Sequence, residues 1–319
     1  MNDKNQKLVN SLLNNFSAKL KLLVDDLVIR DNKAFLTLKA KDYNDAKNLE
    51  NYKKECEDIL KNQGIFDEIF VSFVEKEEQF KKVIAISSCK GGVGKSTVAV
   101  NLAVALKRSN HSVGLLDADI YGPSVPKLLK ISEKPEVDNT KKIIPVLKEG
   151  LKVMSIGLLI EEEKPVVWRG PMIQGALNQL IDEVKWGQLD YLVVDLPPGT
   201  GDAYLAILQK LKIHYSIVVT TSQSLAIADT KKGINLMLKF NIPITGIIEN
   251  MSYFQCDYCS KPKYIFGKSG VEDLAKQFNT KVIAKIPIFN EFEENMKQDN
   301  SQNKKKDEIF NNLVKNLID

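Results

Sequence analysis

The run Cys89-Lys90-Gly91-Gly92-Val93-Gly94-Lys95-Ser96-Thr97 limits what this chain can fold into more than any other stretch of its 319 residues. It lies between an apolar strand candidate, Val83–Ser87, and a helix candidate that opens at Ser96. Gly91, Gly92 and Gly94 allow the backbone to turn its N–H groups inward as an anion nest. The positive end of the following helix adds to that field. In a strand–loop–helix context the pattern predicts a phosphate-binding loop, not a glycine-rich turn without a task. Residues 89–97 then line ATP: Lys95 neutralises its β- and γ-phosphates, and the Ser96 hydroxyl ligates Mg²⁺. Cys89 stands where the common pattern begins with glycine, so a strict match fails by one residue. The nest lies downstream of it, and nucleotide binding is expected to survive. For the Cys89 side chain a structural role is expected.

From Lys82 onward short apolar runs alternate with amphipathic stretches. The strand candidates are Val83–Ser87, Ser112–Asp117, Lys152–Ile156, Tyr191–Asp195, Ser216–Thr220, Ile244–Glu249 and Lys281–Ile286. Several are apolar throughout, as strands covered on both faces must be. Helices are expected at Ser96–Arg108, Pro171–Val184, Ala203–Leu211, Leu225–Phe240 and Val271–Phe278. This alternation predicts a doubly wound α/β domain with a mostly parallel sheet over residues 82–319. Residues 1–78 differ. Leu8, Leu12, Leu13 and Phe16 recur at helical spacing, strands are expected at Leu22–Ile29, Lys33–Lys39 and Ile69–Val74, and a helix at Glu50–Asn62. That order suits a small α+β domain, joined to the rest by the charged linker Glu75-Lys76-Glu77-Glu78-Gln79.

Two acidic strand ends fit the nucleotide reading. Leu115-Leu116-Asp117-Ala118-Asp119 ends one strand where ligands of doubly wound sheets gather. Asp119 is the candidate for positioning the attacking water, and Asp117 is expected near Mg²⁺. Val193-Val194-Asp195 ends another strand, and Asp195 suits a carboxylate holding Mg²⁺ through water. Pro197-Pro198-Gly199-Thr200-Gly201-Asp202 then forms a stiff turn within reach of the γ-phosphate. Strand-end aspartates also serve as plain helix caps, and for Asp117 that alternative stands.

Composition narrows the partners. The net charge is only +4, dispersed along the chain, which argues against a nucleic-acid partner. No stretch approaches the roughly eighteen apolar residues of a membrane span, and the first residues do not form a signal peptide. A cytosolic protein with reduced thiols at Cys56, Cys89, Cys256 and Cys259 is expected. Cys256-Asp257-Tyr258-Cys259 forms a Cys-x-x-Cys pair in a polar insertion. Two thiolates cannot complete a tetrahedral zinc site or a four-thiolate cluster, and His111 and His214 are far away in sequence. Two copies of the chain facing each other supply four sulfurs. Four thiolates suit Zn²⁺ as well as iron–sulfur, and an inert pair or a redox motif is the alternative.

The spacing from Lys90 to Ser96 resembles the deviant phosphate loop of the SIMIBI ATPases, the class of nitrogenase iron protein and the MinD and ParA proteins. That resemblance implies a homodimer in which Lys90 reaches the partner's nucleotide. The runs Cys89–Thr97, Asp117-Ala118-Asp119-Ile120-Tyr121-Gly122-Pro123-Ser124, Trp168-Arg169-Gly170-Pro171-Met172, residues 195–202, and Glu249-Asn250-Met251-Ser252 followed by Cys256 and Cys259 are similar, in order, to the Mrp (ApbC-like) iron–sulfur cluster carrier ATPases. The resemblance implies ATP hydrolysis and a cluster, usually [4Fe–4S], held between Cys256 and Cys259 of two subunits for delivery to apo-proteins. It also implies a place for Asn250 near the adenine. Many members carry a cysteine in a Pro-rich turn of a small N-terminal domain. The matching stretch, Leu38–Tyr43, has none, and Cys56 is expected to be a packing residue. The rival reading is a positioning ATPase of the MinD or ParA kind. For it, the stripe Ile309, Phe310, Leu313, Val314, Leu317 and Ile318 is the feature to watch. With only Lys315 inside it, that helix is expected to dock on its own domain rather than lie on a bilayer.

Overall fold

A computed structural model describes residues 3–40, 43–75, 79–160, 168, 170–256, 258–259, 261–268, 270–289 and 301–318. The chain divides into two compact units, Met1–Glu78 and Gln79–Asp319. The first contains α1 (Asp3–Asn14), α2 (Ala18–Leu23), β1 (Val24–Arg30), β2 (Lys33–Ala40), α3 (Tyr43–Asn48), α4 (Glu50–Lys61) and β3 (Glu68–Glu75). β1 runs antiparallel to β2, and β2 runs parallel to β3. The β1–β2 turn needs positive φ twice, and Asp31 (48°) and Asn32 (58°) are residues that tolerate it. Leu20, Leu36, Leu38, Cys56 and Leu60 close the core, so Cys56 packs as an apolar side chain. The strand expected from Leu22 starts instead at Val24. The Leu20 N–H bonds to Ser17 Oγ at 3.3 Å, and this cap winds the preceding residues into α2.

The second unit is built from β4 (Phe80–Ser87), α5 (Lys95–Arg108), β5 (Val113–Asp117), α6 (Val125–Leu128), β6 (Glu136–Val137), β7 (Ile143–Ile144), β8 (Val146–Lys148), β9 (Leu151–Ser155), α7 (Gly170–Asp182), β10 (Leu189–Asp195) and α8 (Asp202–Lys210). It continues through β11 (Tyr215–Thr220), α9 (Ser224–Lys239), β12 (Ile244–Glu249), β13 (Phe254–Gln255), β14 (Pro262–Lys263), α10 (Gly270–Gln277), β15 (Val282–Lys285) and α11 (Ser301–Ile318). Eight strands form one sheet in the order β15-β12-β11-β4-β10-β5-β9-β8, parallel except for β8 at the edge. Helices cover both faces. Ile173 and Leu177 of α7, Ile207 of α8, Met237 of α9 and Leu274 of α10 pack on one side. Leu102 and Leu106 of α5 with Phe310 and Leu313 of α11 pack on the other. This is the doubly wound arrangement that the apolar runs require. The short strands β6, β7, β8, β13 and β14 have no counterpart in the sequence reading, because two or three residues carry no period.

α11 spends its apolar stripe on α5. Phe310, Leu313, Val314 and Leu317 are buried there, and Arg108 Nη1 meets Asp307 Oδ2 at 2.7 Å. Among the described residues no helix is long and apolar enough to cross a membrane. Replacing Phe310 by Ala is expected to lower the unfolding free energy by about 3–5 kcal/mol, read as a shift in denaturant midpoint. An unchanged midpoint would mean that α11 contributes no packing.

Candidate functional site

Sheet register gathers the site. On the two sides of β10, Asp195 pairs with Ile86 of β4 and with Asp117 of β5, so both carboxylates stand beside the phosphate loop that follows β4. The loop folds through positive φ at Gly92 (78°) and Gly94 (82°), which a side chain would strain. Gly94 caps α5, and a Cβ there would fall 2.2 Å from Asn250 Nδ2. That amide donates to Val93 O at 2.8 Å, so Asn250, at the end of β12, braces the loop backbone. The adenine contact implied for Asn250 by resemblance has to be combined with this clasp. The turn after β10 is tied to the loop as well, with the Gly199 N–H donating to Ser88 O at 3.0 Å.

Lys95 is 6 % exposed, and its ammonium meets Asp195 Oδ1 at 2.6 Å and Asp119 Oδ2 at 4.0 Å. It also reaches Ser96 Oγ at 3.4 Å. Burial raises the Asp195 carboxyl above the ordinary carboxylate range, and the Lys95 charge opposes that rise. Asp117 is raised first by burial and then by the Asp195 charge, against Lys95, the Val125 N–H and the Ser155 hydroxyl. Asp119 is raised by burial against Lys95 and the Gly122 N–H. These carboxylates therefore hold protons more tightly than exposed ones, and positive charge in the site releases them.

The three aspartates differ in what their oxygens do. Asp117 is fully engaged: Oδ1 accepts from the Asp119 N–H at 3.2 Å, and Oδ2 accepts from the Val125 N–H at 3.1 Å and the Ser155 hydroxyl at 3.0 Å. It fixes the loop and the start of α6, which is the cap reading, and a direct metal bond would cost those contacts. Asp119 Oδ1 accepts from the Gly122 N–H at 3.2 Å. Asp195 keeps Oδ2 buried with no hydrogen-bond partner among the described residues. A buried carboxylate oxygen without a donor suits a water-bound Mg²⁺ beside the Ser96 hydroxyl, and the residues fit that ion.

Cys89 turns its thiol against α9. A Cβ on Gly233 would lie 1.8 Å from the sulfur, so the cysteine fits only because position 233 is glycine. Burial pushes this thiol from 9.0 up to about 11, and Cys56 likewise to about 11. The Cys89 side chain thus packs on α9, the structural role expected of it. Lys90 is half-buried in the loop, with its carbonyl accepting from Ser88 Oγ at 3.1 Å.

Cys256 and Cys259 sit together on a small hairpin formed by β13 and β14, where the Cys256 N–H donates to Lys261 O at 3.2 Å. Cys259 is exposed and Cys256 half-buried. Among the described residues no group of three or more His, Cys, Asp or Glu side chains gathers to hold a metal. Arg169 and Asp257 lie outside the described residues. Sequence reasoning missed Ser155, Ser88 and Gly233, whose roles exist only through partners distant in the chain.

Residues 79–318 match the ParA family described as NUBPL iron-transfer P-loop NTPase. The chain is 51% identical over 209 residues to an Arabidopsis thaliana iron-sulfur protein required for NADH dehydrogenase, covering 65% of this chain and 67% of that one. It is 50% identical over 210 residues to an iron-sulfur cluster carrier protein of Aquifex aeolicus, covering 65% of this chain and 58% of that one. In structure it resembles a nucleotide-binding protein of Archaeoglobus fulgidus solved with ADP, with a TM-score of 0.59 and 35% identity over 74% of this chain and 88% of that one. The Pyrococcus furiosus cell division ATPase MinD shares the fold, with a TM-score of 0.54 at 18% identity over 75% of this chain and 98% of that one.

The raised thiol positions have a measurable consequence. A thiol raised in the folded state contributes stability below 9.0, and that contribution is lost as pH rises through about 11. At neutral pH iodoacetamide is expected to label Cys259 while Cys56 and Cys89 stay protonated and unlabelled, until the pH nears 11. Peptide mass spectrometry reads each site; equal rates for Cys89 and Cys259 at neutral pH would contradict the buried packing.

Proposed function

The chain belongs to the NUBPL iron-transfer P-loop NTPase family, and from that premise we propose that it is an ATP-hydrolysing carrier of an iron–sulfur cluster. The observation that carries the reading is the meeting, in one unit, of a phosphate loop containing Lys90 with a hairpin that brings Cys256 and Cys259 together. Carrier and transfer proteins among the relatives support it. In a homodimer the two hairpins supply four thiolates, which suits a [4Fe–4S] cluster as cargo. The acceptors are apo iron–sulfur proteins, and the cytosol is the compartment that fits the reduced thiols.

The chemistry follows from the geometry of the loop. Lys95, now balanced between Asp195 and Asp119, transfers its ammonium to the β- and γ-phosphates when ATP enters the nest. Ser96, and Asp195 through water, would hold Mg²⁺, which would supply charge neutralisation to the phosphates. Asp119 orients a water whose oxygen attacks the γ-phosphorus, while the bond to the bridging β–γ oxygen breaks and ADP leaves with that electron pair. Asp119 accepts a hydrogen bond from this water, and the water's proton passes to the phosphate product. Lys90 of one subunit neutralises the developing charge on the partner's nucleotide. Asp117 and Asn250 hold the frame: one fixes the loop behind β5, the other clasps Val93 O at 2.8 Å. A membrane-positioning ATPase needs an apolar stripe to present, and α11 has buried Phe310, Leu313, Val314 and Leu317 of its stripe in the core shared with α5, leaving Ile318 exposed.

Anaerobic reconstitution with iron and sulfide, followed by absorption and Mössbauer spectra, is the direct test. The wild type is expected to hold a cluster bridging two chains, and the Cys256→Ala, Cys259→Ala double variant to hold none; an identical cluster in both would end this assignment. For Lys90→Ala, ATP turnover is expected to fall by about 10²–10³-fold, as on loss of one preorganised charge donor. Turnover at the wild-type rate would remove Lys90 from the transition state.

A further inference from the structure

The cysteine hairpin is too small to keep its own shape. β13 and β14 have two residues each, and an isolated hairpin of that size is marginal in water. Contacts from outside hold it. Phe254 bridges to Ile288, and the Ile288 N–H donates to Tyr253 O at 2.8 Å. Within the insertion the rings of Tyr253 and Tyr264 meet with centroids 6.1 Å apart, and Lys268 lies over Tyr264 at 4.4 Å. A further contact comes from α11: Lys305 donates to Gln255 Oε1, and its ammonium lies 5.5 Å from the centre of the Tyr253 ring. Gln255 is the residue before Cys256.

From the next turn onward the same helix packs against α5, the helix that follows the phosphate loop. Phe310, Leu313, Val314 and Leu317 pack into the core they share with α5, and Asp307 pairs with Arg108 at the end of α5. α5 itself begins at Lys95. A single helix thus touches the phosphate-loop helix along one stretch and the cysteine hairpin one turn further toward its start. Close-packed helices move as units, so a displacement of α5 has a physical route to the hairpin.

We propose that Lys305 is a positioning residue that couples the nucleotide site to the cysteine pair, by tying the hairpin to α11 through Gln255 and Tyr253. The proposal rests on the carrier reading, in which nucleotide state and thiol state have to be linked, and names the side chain that links them.

The test uses the full chain and needs no cluster. Iodoacetamide labelling rates of Cys256 and Cys259 are measured by mass spectrometry, with and without Mg-ATP, in wild type, Lys305→Met and Lys305→Arg. In the wild type, Mg-ATP is expected to change the rates. In Lys305→Met they rise by about tenfold, the order set by one charge-assisted hydrogen bond, and no longer respond to Mg-ATP. Affinity for ATP stays at the wild-type value, and Lys305→Arg restores the response. If Lys305→Met lowers the melting midpoint, Gln255→Leu is the deciding variant and is expected to give the same labelling pattern. Wild-type rates in the variants, a retained Mg-ATP response in Lys305→Met, or no response in the wild type each overturns the proposal. Failure of the carrier reading is separate: it appears as no Cys256- and Cys259-dependent cluster on reconstitution, whatever the labelling rates.

Discussion

The ammonium of Lys95 lies almost out of water, and an unpaired charge there would be too costly to keep. Its 2.6 Å contact with Asp195 meets that demand, and the rest of the site is arranged around the pair. Asp195 is itself fully buried, and its place is set by register, since β10 lies between the strands that lead to the phosphate loop and to Asp117. Removing one partner strands a charge, which is far more damaging than the small net value of the pair. The pair is also incomplete, because among the described residues no donor reaches the second oxygen of Asp195. A site that balances its charge only partly gains most from an anion carrying a divalent metal, which is the form in which ATP arrives.

Electrostatic matching also explains the unequal duties of the aspartates. Asp117 has three protein donors and acts as a fixed strut. Asp119 keeps one oxygen bonded to the Gly122 N–H and the other 4.0 Å from Lys95, so it can face a reacting water. Two residues apart in sequence, they differ in engagement because β5 ends at Asp117.

Much of this was legible from residue order alone. Parallel strands covered on both faces read as unbroken apolar runs, so β4, β5, β10, β11 and β12 stand out, and the aspartates that end β5 and β10 mark the ligand side. The stripe on α11 showed which face docks, and Phe310 and Leu313 do dock. What the sequence concealed rests on contacts between distant residues. Asn250 and Val93 are 157 positions apart, and Ser155 and Asp117 are 38 apart. The strands β13 and β14 have too few residues to show a period, and their pairing exists only because Tyr253, Ile288 and Lys305 surround them. The start of α2 was hidden for a local reason, a serine cap outweighing the extended preference of the leucines that follow.

The contact between Cys89 and Gly233 has an evolutionary consequence. A sulfur 1.8 Å from where a Cβ would be ties the two positions together: a side chain at position 233 has to displace the thiol of Cys89. A helix-interior glycine costs about 1 kcal/mol relative to alanine, so the arrangement persists only while the thiol fills the space. Reverting position 89 to the glycine of the common loop pattern would free position 233 to become alanine and regain helix stability.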